Sequence, residues 1–305
     1  MSIEPTGSDI LDQYRATSNK LRKRFLRKPN LTEACESFTA LGQHCQNEEL
    51  PSYAGLSYIA AARCEGSLGN ISGETWSLMK AGRQFLSAEL NNKKLECPSI
   101  CNENLQAAIS CFTHASSRNS EKSPLNICVD FEIIESLNRL DLDGVKEMYL
   151  KDAIELSEDS LDTKIFCLSS AANDSIENED YTSALEYFTE IFNIIEKSPI
   201  NGARSDVLLD AEISRVFLLL ILRPSPHKLT QNLAQVLEKY TWGDKKNQNS
   251  ISYGISEDLF ILLQSIVLTC QSLDYSTLPD LEAQLWKYLN VKQRDLLRNL
   301  IKTYV

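Results

Sequence analysis

LSSAANDSIENEDYTSALEYFTEI, residues 168–191, is the stretch whose reading decides the fold. In its second half Ala184, Phe188 and Ile191 stand at i, i+4 and i+7, which puts them on one face of a helix. Asp180 and Tyr181 open that helix, and Ala172 falls where the helix before it needs a small residue. The same order, small-x-x-x-Phe-x-x-apolar, recurs at Ala34, Phe38 and Leu41, at Ala81, Phe85 and Ala88, and at Ala108, Phe112 and Ala115. A degenerate copy, Lys146, Leu150 and Ala153, lies 38 residues after the third and 38 before the last, whereas the first spacing is 47. A small residue lets a neighbouring helix come close, and an aromatic ring one turn later fills the gap beside it.

The pattern resembles the second helix of a tetratricopeptide repeat, a stacked helix-turn-helix unit. It predicts an all-α chain, an irregular tetratricopeptide-like helical solenoid, with a generic helical bundle as the alternative. Composition agrees. Gly (11) and Pro (9) are scarce in 305 residues, 43% of the residues are hydrophobic, and no β-branched alternating run is joined by an Asn-Gly or Asp-Gly turn.

Residues 1–9 are expected to be a disordered tail and residues 10–199 to hold the repeats. After the break KSPINGARS (197–205) comes an apolar helix from about Asp206 to Leu222, stopped by RPSPHK because proline cannot continue a helix. Further helices are expected over SEDLFILLQSIVLTC, DLEAQLWKYL and VKQRDLLRNLIKTY, with Ser256 as a cap before Glu257 and Asp258. Residues 200–305 thus read as a C-terminal helical cap, with 243–254 (GDKKNQNSISYG) as a mobile loop.

Charge is segregated. The net charge is -11, and residues 130–190 hold 17 acidic against four basic side chains, yet residues 15–28 hold seven basic and no acidic ones. On a helical wheel Tyr14, Leu21 and Phe25 share a narrow stripe that can dock on the first repeat, while Leu26 points out among Arg22, Lys23, Arg24 and Arg27. Pro29 ends that helix, and Asn30 or Thr32 caps the next. Nucleic acid is disfavoured by the acidic total and by the lack of any accompanying recognition motif. A membrane surface is disfavoured by the narrow apolar stripe, and no run approaches the roughly 20 apolar residues that span a bilayer. Two readings stay open: an acidic surface on a protein partner, or the acidic middle of the same chain.

Chemistry finds little footing. No phosphate-binding glycine loop, nucleophile elbow or zinc-protease motif occurs, and there are three histidines. Cys97, Cys101, Cys111 and His114 have spacings a tetrahedral zinc tolerates, but Cys111 and His114 flank the core positions of the third repeat, so buried free thiols are the better expectation. Nine irregularly spaced cysteines and the absence of a secretory signal point to reduced thiols in the cytosol. No metal, cofactor or enzyme activity is expected. Trp76, Trp242 and Trp286 are expected to anchor a core or an interface.

Four segments carry a more specific resemblance: YRATSNKLRKRFLRKPN (14–30), SRVFLLLILRPSP (214–226), LEKYTW (237–242) and DLFILLQSIV (258–267). Together they resemble the factor VIII intron-encoded family of huntingtin-associated proteins, from about Asp9 to the last helix. The vertebrate members carry a proline-rich segment before the apolar helix, where this chain has only KSPINGARS, so it resembles a compact, invertebrate member. The resemblance implies a non-enzymatic scaffold that binds huntingtin, wedged between its HEAT-repeat domains, with a role on early endosomes through Rab5. The alternative is a trafficking adaptor of the fusion-attachment type that acts without a stable huntingtin complex. The residues expected to meet the partner are Arg22, Lys23, Arg24, Leu26, Arg27, Phe217, Trp242 and Trp286.

Overall fold

The structure is a computed structural model. It describes residues 7–21, 30–97, 99, 101–120, 123–199, 202–225, 227, 229–241, 254–273 and 275–304. Among these there is no strand; the chain is an all-α helical solenoid of fourteen α-helices with short 3-10 turns. It divides into two compact units, Met1–Leu156 and Ser157–Val305.

Unit 1 holds α1 (Gly7–Leu21), α2 (Leu31–Asn47), α3 (Pro51–Leu68), α4 (Ile71–Lys94), α5 (Glu103–Ser117), α6 (Pro124–Leu140) and α7 (Lys146–Leu156). Each helix packs against the next in order. Three of these joints share one device. An aromatic ring from the following helix lies over a glycine of the preceding one: Tyr58 of α3 over Gly42 of α2, Phe85 of α4 over Gly55 of α3, and Phe112 of α5 over Gly82 of α4. A Cβ on those glycines would sit 2.9, 2.8 and 2.5 Å from the ring carbons, closer than packed atoms come. Phe85 and Phe112 are the aromatic positions of the repeat pattern. All four small-aromatic-apolar triplets are buried, and in the degenerate copy Leu150 and Ala153 are buried beside Lys146. The lysine is accommodated because its Nζ donates to Asn138 Oδ1 at 2.9 Å. The strict alternation of a tetratricopeptide array is not kept, for α4 and α5 are consecutive and both carry the pattern.

The first helix docks as its stripe predicts. Tyr14 meets Phe38 with ring centroids 5.2 Å apart, and Leu21 packs on the cluster around Ala34, Phe38 and Ala61. Ile10, 2% exposed, extends the stripe by one turn. Phe25 and Pro29 lie outside the described residues. α1 begins at Gly7, within the stretch expected to be tail, and residues 1–6 lie outside the described residues. Asn30, not Thr32, caps α2, its side chain accepting the Glu33 N–H at 3.2 Å.

Unit 2 holds α8 (Leu161–Glu177), α9 (Tyr181–Glu196), α10 (Gly202–Leu222), α11 (Gln231–Thr241), α12 (Glu257–Ser272), α13 (Leu278–Leu285) and α14 (Val291–Tyr304). Asp180 caps α9 and Ser256 caps α12, each accepting the N–H three residues on at 3.2 Å. The centre is α10, which α9, α11, α12 and α14 surround. Every residue from Ala211 to Leu220 is buried. This explains why the compact units divide at 156/157, whereas the sequence reading divides the chain near residue 200: α9 closes one side of α10 and so shares its core. Trp286 begins a 3-10 turn, Trp286–Tyr288, where the sequence suggests that α13 continues. Of the expected mobile loop only Gly254 lies within the described residues.

The ring-on-glycine joints make a direct prediction. Gly82→Ala should lower the stability of the chain by about 1–3 kcal/mol, the usual cost of overpacking. Gly144→Ala, with nothing within 4 Å of an added Cβ, should change it by less than about 0.5 kcal/mol. Urea midpoints of the two variants and the parent check both.

Candidate partner-binding surface

The sequence-derived candidates fall into three groups. Arg22, Lys23, Arg24, Leu26, Arg27 and Trp242 lie outside the described residues. Of the other basic side chains near them, Arg15 pairs with Asp12 at 3.7 Å and Lys20 with Glu33 at 3.4 Å, all well exposed. Such surface pairs contribute little stability. Phe217 is a correction. It is fully buried in the centre of α10, so it holds unit 2 together and is not presented to a partner. The sequence does carry a sign of this: Val216–Leu222 is apolar on every face of the helix, the mark of a helix buried all round and not of one exposed stripe. Trp286 is half-buried, its ring flanked by the guanidinium groups of Arg294 at 5.0 Å and Arg298 at 4.6 Å.

Among the described residues each unit carries an open apolar groove. In unit 1 a groove of about 350 Å³ runs between α4 and α6, floored by Met79 and Val129 and edged by Ile71, Trp76 and Leu125. Those three edge residues are 50, 58 and 56% exposed. Trp76 is therefore not a core anchor. A wheel gives the signal: at 100° per residue it stands roughly 140° from Ala81, off the buried face. In unit 2 a groove of about 470 Å³ is lined by Ile165, Phe166, Ile176 and Val207, with Phe166 57% exposed. Its rim charges are matched within the chain: Arg204 bonds Asp162 at 2.8 Å, and Lys292 bonds Glu177.

Buried charged groups cluster in each unit. Glu212 receives Lys239 Nζ at 2.9 Å and the Tyr240 hydroxyl at 3.3 Å, with Arg215 Nη1 at 3.6 Å. Burial and the Glu212 carboxylate together hold the Tyr240 hydroxyl well above its ordinary range. Arg215 is 2% exposed and lies 4.4 Å from the Phe192 ring. Its Nε and Nη1 make no hydrogen bond, so the Glu212 carboxylate and the Phe192 ring are what offset its buried charge. In unit 1, Glu74 accepts Arg118 Nε at 2.8 Å and has His114 at 3.7 Å. His114 is thereby drawn to a carboxylate, and Cys111 is buried with its thiol pushed up to about 11 by burial. Cys97 and Cys101 are exposed, and among the described residues no group of three metal-ligating side chains comes together. No helix among them is long and apolar enough to cross a membrane.

These features define the protein's class: an all-helical solenoid that presents open apolar grooves among its described residues. No family model matches the chain. The chain is 30% identical, over an alignment of 355 residues, to the 40-kDa huntingtin-associated proteins of Mus musculus and Rattus norvegicus, covering 97% of this chain and 93% of each relative. It belongs to the family of the 40-kDa huntingtin-associated proteins.

One buried group gives a pH prediction. Asp130 of α6 is 9% exposed, and its Oδ2 has no hydrogen-bond partner. Burial, with help from the nearby Asp152 carboxylate of α7, raises it from 3.8 to about 7. Between these values the unfolded chain loses this proton while the folded chain keeps it, so folding stability falls as pH rises through that window and levels off above it. Asp130→Asn should remove this loss, so that, relative to the parent, the variant gains on the order of 1–3 kcal/mol more stability at pH 8 than at pH 5. Denaturation midpoints of parent and variant at the two pH values measure it.

Proposed function

We propose that this chain is a non-enzymatic scaffold subunit that binds and stabilises the huntingtin of its own organism. The observation that carries the reading is the similarity over nearly the whole of both chains to proteins named for their association with huntingtin. The resemblance of the four segments supports the finer picture: a subunit wedged between HEAT-repeat domains, cytoplasmic with an early-endosome-associated pool, working with Rab5. The physical features are compatible. Open apolar grooves suit a protein partner, and the buried charges are engaged in packing.

The test is purification of the endogenous, tagged chain and identification of whatever is present in equal amount. A huntingtin homologue in a one-to-one complex is expected. Binding to Rab5 that depends on its nucleotide, with no stable huntingtin complex, would replace this reading with that of a trafficking adaptor. Charge reversal at Arg22, Lys23, Arg24 and Arg27 is expected to weaken the complex at least tenfold while leaving the thermal midpoint of the free chain unchanged. A lowered midpoint would instead assign those charges to the chain's own acidic helices.

A further inference from the structure

We infer that the groove between α4 and α6 of unit 1 is a docking site for one amphipathic helix of the partner, apolar on the face it inserts and bearing a carboxylate at its edge. This rests on the scaffold reading above and gives it a place on the molecule.

The argument begins with apolar exposure. Ile71, Trp76 and Leu125 each leave half or more of their surface in water around one groove. Single exposed apolar side chains are ordinary, but three around a cleft mark a contact surface. A tryptophan at its rim is the side chain most often found to dominate binding. The shape favours a helix: the walls are two helices, and among the described residues there is no sheet edge onto which an extended segment could add.

Charge then specifies the occupant. At the groove, Arg83 is closed on Glu132, with Nε and Nη2 donating to the two carboxylate oxygens at 2.7 and 2.8 Å. That bidentate pair is satisfied and offers a partner nothing further. Lys80 is different. It stands just outside the groove lining, beyond Trp76, with its Nζ 5.4 Å from the centroids of both the Trp76 and the Tyr58 rings, and among the described residues no carboxylate pairs with it. Thr75, which also lines the groove, holds its Oγ1 buried and without a hydrogen-bond partner. An apolar helix with an acidic side chain at its edge would cover the rings and answer the lysine. The unit 2 groove lacks this feature, because its rim cations already meet Asp162 and Glu177.

Cys128 is an internal reporter, since it is exposed and lines the groove, whereas Cys97 and Cys101 are exposed and not among its lining. The experiment alkylates the free chain and the purified complex with N-ethylmaleimide and follows each cysteine by mass spectrometry. In the complex Cys128 should react at least tenfold more slowly than in the free chain. In parallel, Trp76→Ser should weaken the complex at least tenfold with an unchanged thermal midpoint, and Trp76→Phe should recover most of the loss. A one-to-one huntingtin complex in which Cys128 reacts as in the free chain, or which Trp76→Ser leaves intact, overturns the groove assignment and leaves the scaffold reading standing. Protection of Cys128 in the free chain that grows with concentration, together with a dimeric mass, makes the occupant a second copy and also overturns it. If no complex forms at all, both fall together.

Discussion

Three aromatic rings seated on three glycines set the spacing of the first unit. Tyr58, Phe85 and Phe112 each occupy the volume a Cβ would take on the helix before. Two consequences follow. The helices approach more closely than side chains on both sides would permit, so one ring per joint fills the gap. The rings also lock register, because sliding one helix past its neighbour by a turn would drive the ring into a residue that has a side chain. The packing of α2 to α5, each on the next, depends on these joints.

Much of this was legible in sequence. The aromatic half of two joints is the Phe of the repeat pattern, and the burial of all four triplets follows from their shared face. The glycine half was not legible, because it lies in a different helix and nothing in local periodicity links Gly82 to Phe112. For the same reason the irregularity of the array was visible as uneven spacing, but not as two consecutive patterned helices. Caps were read correctly at Asp180 and Ser256, where a short polar side chain precedes a long apolar run.

The candidate surface was less legible than the fold. Phe217 shows that burial could be read from apolarity on every face of α10, whereas the identity of the helices that surround it could not. The same holds for Trp76. Its place off the buried face of α4 could be read from the wheel, but the groove beside it is completed by Leu125 and Val129 of α6, which no local rule brings to the same place. Charge segregation was plain in the sequence. The pairing that decides which charges remain free, Arg83 with Glu132 and Arg204 with Asp162, needed the folded chain.

The burial of α10 on every side bears on how the chain is made. A helix with one apolar stripe can be sheltered by a single neighbour as soon as both exist. α10 cannot, because only α9 precedes it, and α11, α12 and α14 are translated afterwards. Between its synthesis and theirs, the run from Val216 to Leu222 stands partly uncovered, in the condition that invites capture by chaperones or by another nascent chain. In unit 1 the interval is shorter, since each helix packs against the one before it and waits mainly for the next one to be made. The order of translation therefore exposes the two units to different hazards, and the second carries the greater one.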